Sequence, residues 1–204
     1  MPLFTTNNRR SKKFVSNTMR TLATTTHSIG DRQADDYYAT DPVAIDLLVE
    51  PDYIRLQNDI WEPCCGEGHL SKRLIDYGYN VRSSDLVDRG FGEVCDFLLC
   101  EKEWHGDIVT NPPYKIALEI CQHALDVCTQ GSTVAMFLKL QFLEGKERKQ
   151  WFKMNPPKYV MVCSSRVTCA KDGRFDLYKG SAVCYAWFVW QKGYTGDTVI
   201  KWIN

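Results

Sequence analysis

The chain predicts an open α/β sheet, mostly parallel, with one antiparallel strand near its end. Three observations carry that expectation. From residue 34 on, short apolar runs alternate with helix-period stretches, and glycine or proline turns separate them. Repeated strand–helix units pair in parallel, because each crossover returns the chain to the same end of the sheet. The last two apolar runs, 159–163 and 183–190, have no convincing helix between them, which predicts a hairpin and one antiparallel strand.

Each element follows from its residues. Asp41-Pro42 opens a helix: proline presets φ at the first helical position, where its missing N–H costs nothing, and Val43, Ala44, Ile45, Leu47 and Leu48 follow. Residues 59–62 form a short strand. A glycine turn over 63–68 leads into a helix from about His69 that stops at Gly78. Residues 79–84 alternate as a strand. The strand over 106–110 runs into a double proline. The stretch 116–128 is an amphipathic helix with apolar residues at 116, 117, 120, 121, 124, 125 and 128. Residues 134–140 are a buried strand, and the basic stretch 144–153 is helical.

Composition bounds the rest. The 204 residues suit one domain, placed at 34–204, and 44% apolar with 25% charged residues reads as soluble and globular. No run of 18 apolar residues exists and no signal-like segment opens the chain, so neither a membrane span nor secretion is expected. Nine cysteines without a CxxC pair point to reduced thiols in a cytosol-like compartment. They do not form a disulfide framework or a zinc site, and the histidines at 27, 69, 105 and 123 are scattered, so no metal is expected.

The net charge of zero hides a pattern. Residues 1–33 hold six basic residues and one acid. Residues 34–107 hold 17 acids and six bases, and residues 108–204 hold 13 bases and seven acids. Basic flanks around an acidic middle suit an anionic partner, with nucleic acid the leading candidate, although a charge run is more often just a solvated face. Residues 1–33, rich in Ser, Thr, Asn and Arg, read as a flexible basic arm, with a transit peptide as the other reading.

The segment Glu62-Pro63-Cys64-Cys65-Gly66-Glu67-Gly68 lies between a strand and a helix. Gly66 and Gly68 let backbone approach a ligand, while Ser71 stands where a dinucleotide fingerprint has its third glycine. Glu62 and Glu67 disfavour a phosphate and suit a cation. Asp85 closes the next strand, 23 residues after Glu62, where an acid can accept from both hydroxyls of a ribose. A nucleoside with positive charge and no phosphate fits these features, and S-adenosylmethionine is such a molecule.

Asn111-Pro112-Pro113-Tyr114 ends the 106–110 strand. Each proline holds the residue before it extended, so carbonyl groups sit in a fixed array with an aromatic face alongside. That assembly suits an exocyclic amine on a planar ring: the Asn111 side-chain oxygen and the Pro112 carbonyl each accept one N–H, and Tyr114 stacks on the ring. A turn that merely ends a strand is the plainer reading.

With these residues in place, the chain resembles the adenine-N6 DNA methyltransferases of the small type found in bacteria and their phages. The resemblance covers about residues 31–191. It implies a doubly wound, Rossmann-like seven-stranded sheet with helices on both faces and an antiparallel last strand. Asn111, Pro112, Pro113 and Tyr114 match the family's catalytic motif. Glu62, Gly66 and Gly68 match its cofactor loop, with Glu62-Pro63-Cys64 replacing the family's usual Asp-Pro and aromatic, and Asp85 matches the acid after the second strand. Asp96-Phe97 corresponds to the pair that reads the cofactor adenine. Tyr38-Ala39-Thr40-Asp41-Pro42 is similar to a Tyr-x-Thr-Pro motif at the methionine end, with one residue inserted, which places Tyr38, Thr40 and Pro42 in the cofactor site.

The resemblance implies S-adenosyl-L-methionine as cofactor, DNA as substrate, and the cytoplasm of a bacterial or phage-infected cell. No segment is long enough for a separate target-recognition domain, so short loops or a protein partner supply any sequence readout. The basic residues Lys139, Lys146, Arg148, Lys149, Lys153 and Lys158 follow the catalytic strand's neighbour and suit phosphates. An RNA adenine methyltransferase shares every motif named. A protein-glutamine methyltransferase uses the same Asn-Pro-Pro-Tyr array but carries a helical domain in front. A non-catalytic nucleic-acid-binding module is the alternative of a different class.

Overall fold

A strand covered on both faces must be apolar along its whole length, and the central strands here are close to that limit. Thr133–Lys139 (β6) and Tyr185–Gln191 (β9) are buried at five and six of their seven positions. A computed structural model describes residues 37–171, 173, 175 and 183–204. The arm expected over 1–33 lies outside the described residues, as do Asp172 and Arg174.

In chain order the elements are Tyr38–Thr40 (β1), Val43–Val49 (α1), Asp59–Glu62 (β2), His69–Asp76 (α2), Asn80–Asp85 (β3), Glu93–Val94 (β4), Asp107–Thr110 (β5), Ala117–Val127 (α3), β6, Lys146–Met154 (α4), Tyr159–Cys163 (β7), Cys169–Lys171 (β8), β9 and Val199–Ile203 (β10). Strand order in the main sheet is β10-β7-β9-β6-β5-β2-β3-β4. β9 pairs antiparallel with both β6 and β7, and the other pairings are parallel. β1 and β8 form a separate antiparallel pair with Thr40 opposite Cys169.

Strand alternation divides the core in two. Ile60, Val109, Phe137 and Trp187 face α1 and α2, whereas Trp61, Ile108, Met136 and Phe188 face α3 and the Trp151 and Phe152 side of α4. Helices therefore cover both faces, as the sequence predicts. The Trp187 indole N–H donates to the Ala44 carbonyl at 2.7 Å, tying β9 to α1 inside the first core.

Two details correct the expected sheet. The antiparallel strand is β9, but it is not the last. β10 follows, pairs in parallel with β7 and forms an eighth strand at the edge. Val199, Ile200 and Trp202 of β10 are exposed, so this strand lacks the buried run that marks the central strands β5, β6 and β9.

The order reverses between β2 and β5: from β2 the chain builds outward through β3, and from β5 through β6. A crevice outside the carboxyl ends of adjacent strands at such a reversal is where open α/β sheets bind ligands. Glu62 ends β2, and Asn111 directly follows β5. Among the described residues, no helix is long and apolar enough to cross a membrane.

Candidate active site

The glycine turn is held by β3. Cys65 N–H donates to the Ser84 carbonyl, and Gly66 N–H donates to Asp85 Oδ2, both at 2.9 Å. Asp85 Oδ1 accepts from Val87 N–H at 3.0 Å. The turn needs glycine, because Gly66 and Gly68 have φ of +55° and +80°, where a Cβ is strained. Both are also overlain by aromatic rings that the sequence reading does not assign to the site. A Cβ on Gly66 would lie 2.5 Å from the Tyr37 ring, and one on Gly68 would collide with the Phe91 ring. The Tyr37 hydroxyl accepts from Glu67 N–H at 3.2 Å, and the Arg89 guanidinium lies 3.9 Å from the Tyr37 ring centroid. The available signals were the Tyr37-Tyr38 pair and Phe91 between two glycines.

Glu62 is almost fully buried, and that burial pushes its carboxyl up to about 8. Ser71, on the first turn of α2, donates its hydroxyl to Glu62 Oε2, which partly opposes the shift, and the Asp85 charge adds to it. The Ser71 Oγ also lies 2.6 Å from Ser83 Oγ. Ser71 thus replaces a third glycine with a hydroxyl that satisfies a buried carboxyl.

Asn111 sits where β1 crosses the end of β5. Its Nδ2 donates to Thr40 Oγ1 at 2.6 Å, while its Oδ1 is buried and has no hydrogen-bond partner. Buried acceptors are rarely left unpaired, and one that is calls for an explanation. Tyr38, Thr40, Glu62 and Asn111 all line one cavity of about 20 Å³, together with Tyr37 and Cys64. The space admits about one water.

Tyr114 follows Pro113, whose extended backbone (φ −55°, ψ 124°) starts a short 3₁₀ turn over Tyr114–Ile116. Burial holds the Tyr114 phenol protonated well above its ordinary value. Its hydroxyl lies 3.9 Å from Cys169 Sγ, and its ring centroid is 6.4 Å from that of Tyr38 and 6.3 Å from that of Tyr185. The Lys139 ammonium lies 4.2 Å from the Tyr114 centroid.

Not every expected residue joins this cluster. Pro42 stands at the N-cap of α1, a turn away from the cavity lining. Asp96 caps the 3₁₀ turn Phe97–Leu99, accepting from Leu98 N–H. Phe97 is buried in the second core, edge-on to Trp61 at 5.0 Å and to His123 at 4.8 Å, so core packing occupies its ring.

The fold and the placement of this cluster define a class before any comparison: a doubly wound sheet with its polar site at the strand-order reversal. No family model matches the chain, and no curated protein matches it in sequence. Solved structures do match in fold. One from Listeria monocytogenes, assigned as a class I S-adenosylmethionine-dependent methyltransferase, has a TM-score of 0.50 at 11% identity over 78% of this chain and 63% of that one. A modification subunit assigned to a type I restriction enzyme of Vibrio vulnificus has a TM-score of 0.55 at 12% identity over 82% and 47%. A protein of Pyrococcus horikoshii assigned as an RNA methyltransferase has a TM-score of 0.51 at 10% identity over 74% and 81%. The chain thus has the fold of class I methyltransferases, and it spans less than two thirds of the first two of these proteins.

Proposed function

We propose that this protein transfers a methyl group from S-adenosylmethionine to the exocyclic N6 amine of adenine in DNA. The observation that carries the reading is the buried, unpaired Oδ1 of Asn111, an acceptor with no partner beside the cavity that Glu62 lines. An N–H of the target amine supplies that partner. Thr40 accepts from Nδ2 and so keeps Oδ1 turned toward the substrate.

The residues present fit the cofactor. Gly66 and Gly68 add no side chain of their own to the turn, over which the Tyr37 and Phe91 rings lie, and the carboxyl groups of Glu62 and Asp85 flank it, a donor set that favours a cationic nucleoside over a phosphate. When bound, S-adenosylmethionine supplies an electrophilic methyl carbon on a sulfonium. Asp85 keeps lone pairs for ribose hydroxyls beyond the backbone N–H groups it accepts. Glu62 faces the positive charge.

An adenine amine is a weak nucleophile, because its lone pair is delocalised into the ring. Asn111 Oδ1 and the Pro112 carbonyl each accept one N–H and draw that lone pair back onto nitrogen. As the amine gains positive charge these bonds strengthen, which is the differential stabilisation that lowers a barrier. The amine proton is lost to water after transfer, so no general base is required beforehand. Tyr114 offers its ring to a base taken out of the helix stack. The match of Asn111-Pro112-Pro113-Tyr114 to the adenine-N6 motif supports this substrate, as does the restriction-modification assignment of one structural neighbour.

Mass spectrometry of nucleosides tests the reading. Protein, isotopically labelled cofactor and either DNA or RNA are incubated and digested. Label is expected in N6-methyldeoxyadenosine. Label confined to RNA adenosine overturns the DNA assignment, and label in neither overturns adenine methylation.

A further inference from the structure

We infer that Lys139 is a phosphate anchor for the strand that carries the target base, gripping a backbone phosphodiester beside the nucleotide that Asn111 receives. The inference rests on the function proposed above and names a residue for the polymer half of the substrate.

Lys139 ends β6. In parallel register β6 runs beside β5, with Met136 opposite Thr110, so Lys139 stands three residues beyond that pair on the rim that carries Asn111. The side chain lies over the Tyr114 ring and borders a cavity of about 130 Å³ lined also by Leu138, Gln141, Phe142 and Arg148. This space adjoins Tyr114 but not Asn111, which lines the other cavity. Tyr114 lines this larger, cationic cavity, and its ring centroid is 6.4 Å from that of Tyr38, which lines the smaller polar one.

The two cations of the larger cavity differ. Arg148 is committed to its own loop: Nε donates to the Phe142 carbonyl at 2.8 Å, and Nη2 donates to the Glu144 carbonyl. Lys139 has no hydrogen-bond acceptor and no carboxylate partner among the described residues; its ammonium lies over the π face of Tyr114, near the Cys169 thiol. An ammonium over an aromatic ring and without a hydrogen-bond acceptor is weakly held. A base that stacks on Tyr114 competes for the ring, and the ammonium is then free to meet the charge that arrives with that base. In a nucleic acid that charge is the phosphate flanking the base. A protein amide would bring no such anion.

The test uses three forms of the full chain: wild type, Lys139→Met, which keeps the aliphatic stem, and Lys139→Arg, which keeps the charge. Binding of a short adenine-containing oligonucleotide is measured against salt in the presence of S-adenosylhomocysteine, and methylation kinetics are measured separately. A second oligonucleotide series carries one uncharged methylphosphonate, moved along the linkages around the target. Lys139→Met is expected to weaken binding and raise KM about 5- to 20-fold, lower the salt slope by about one, and leave kcat within about threefold. Lys139→Arg restores most of the loss. One methylphosphonate position should cost the wild type the same factor and Lys139→Met almost nothing.

Unchanged affinity and salt slope in Lys139→Met, a fall in kcat without a change in KM, or equal sensitivity of both proteins at every linkage overturns the inference. Each of these leaves the methyltransferase reading standing if the wild type methylates DNA. If the wild type binds no oligonucleotide at low salt, both the anchor and the nucleic-acid substrate fall. Cofactor affinity, measured on the same samples, then decides whether a methyltransferase of another substrate remains.

Discussion

Thr40 and Asn111, 71 residues apart, are joined by one hydrogen bond of 2.6 Å, and that bond decides which way the Asn111 amide faces. Nδ2 is used, so Oδ1 is left for a ligand. The consequence is a graded pair of defects. Asn111→Ala removes the acceptor and should lower kcat about 10²- to 10³-fold with little change in cofactor affinity. Thr40→Val leaves the acceptor in place but lets the amide rotate, and should lower kcat about tenfold. Single-turnover kinetics with cofactor affinity measured in parallel checks both. Wild-type turnover in Asn111→Ala would remove the centre of the functional reading.

Glu62 makes the free protein pH-sensitive. Burial raises its carboxyl to about 8, well above the value near 4.5 that it has when unfolded. The folded chain therefore binds more protons than the unfolded chain between those values, and stability falls as pH rises. The Glu62 contribution is complete below about pH 4.5 and is lost as pH climbs through 8. Urea denaturation of the free protein should show this decline, and Glu62→Gln should remove it. A cationic ligand next to Glu62 favours the carboxylate, so cofactor binding at pH 7 should release a proton. Calorimetry in buffers of different ionisation enthalpy reads that release, and a buffer-independent enthalpy would place the cofactor charge elsewhere.

Much of the candidate site is legible in the sequence because its geometry is local. Glycines at positive φ between a strand and a helix, and prolines after a strand, dictate backbone shape within a few residues, so Gly66, Gly68 and Asn111 land where the spacing puts them. Thr40 and Asn111 belong to two separate sequence motifs. What stayed hidden was tertiary. Nothing in the spacing says that Ser71 serves Glu62, that Tyr37 and Phe91 lie over the two glycines, or that Lys139 lies over Tyr114. Phe97 shows the reverse: its pairing with Asp96 fits a cofactor motif, but its ring is enclosed by Trp61 and His123. Edge strand β10 escaped notice because exposed positions carry no burial pattern.

Asp85 does two jobs that different substitutions separate. It latches Gly66 and Val87 through their N–H groups, and it faces the ribose in the proposed complex. Asp85→Ala should weaken cofactor binding by about 1.5–3 kcal/mol and also loosen the turn. Asp85→Asn keeps one acceptor for the turn, so its loss should appear in cofactor affinity with a smaller loss of melting temperature. Equal cofactor affinity in wild type and Asp85→Asn would make the residue a structural latch alone.

If the proposed cofactor approaches the glycine turn, Tyr37 covers its path. Its ring lies where a Cβ on Gly66 would point, and the adjoining cavity of about 20 Å³ is far too small for a nucleoside. On the proposed reading, cofactor entry moves the ring off Gly66 and breaks the bond from Glu67 N–H and the contact with Arg89. When only a fraction of molecules has the ring displaced, apparent affinity and association rate fall by that fraction. Removing the ring abolishes this requirement, so Tyr37→Ala should raise the cofactor association rate about tenfold in stopped-flow fluorescence. Tyr37→Phe loses the hydroxyl contact with Glu67 but keeps the ring over Gly66, and its rate should lie between the two. An association rate that is the same in all three proteins would show that Tyr37 does not gate the site.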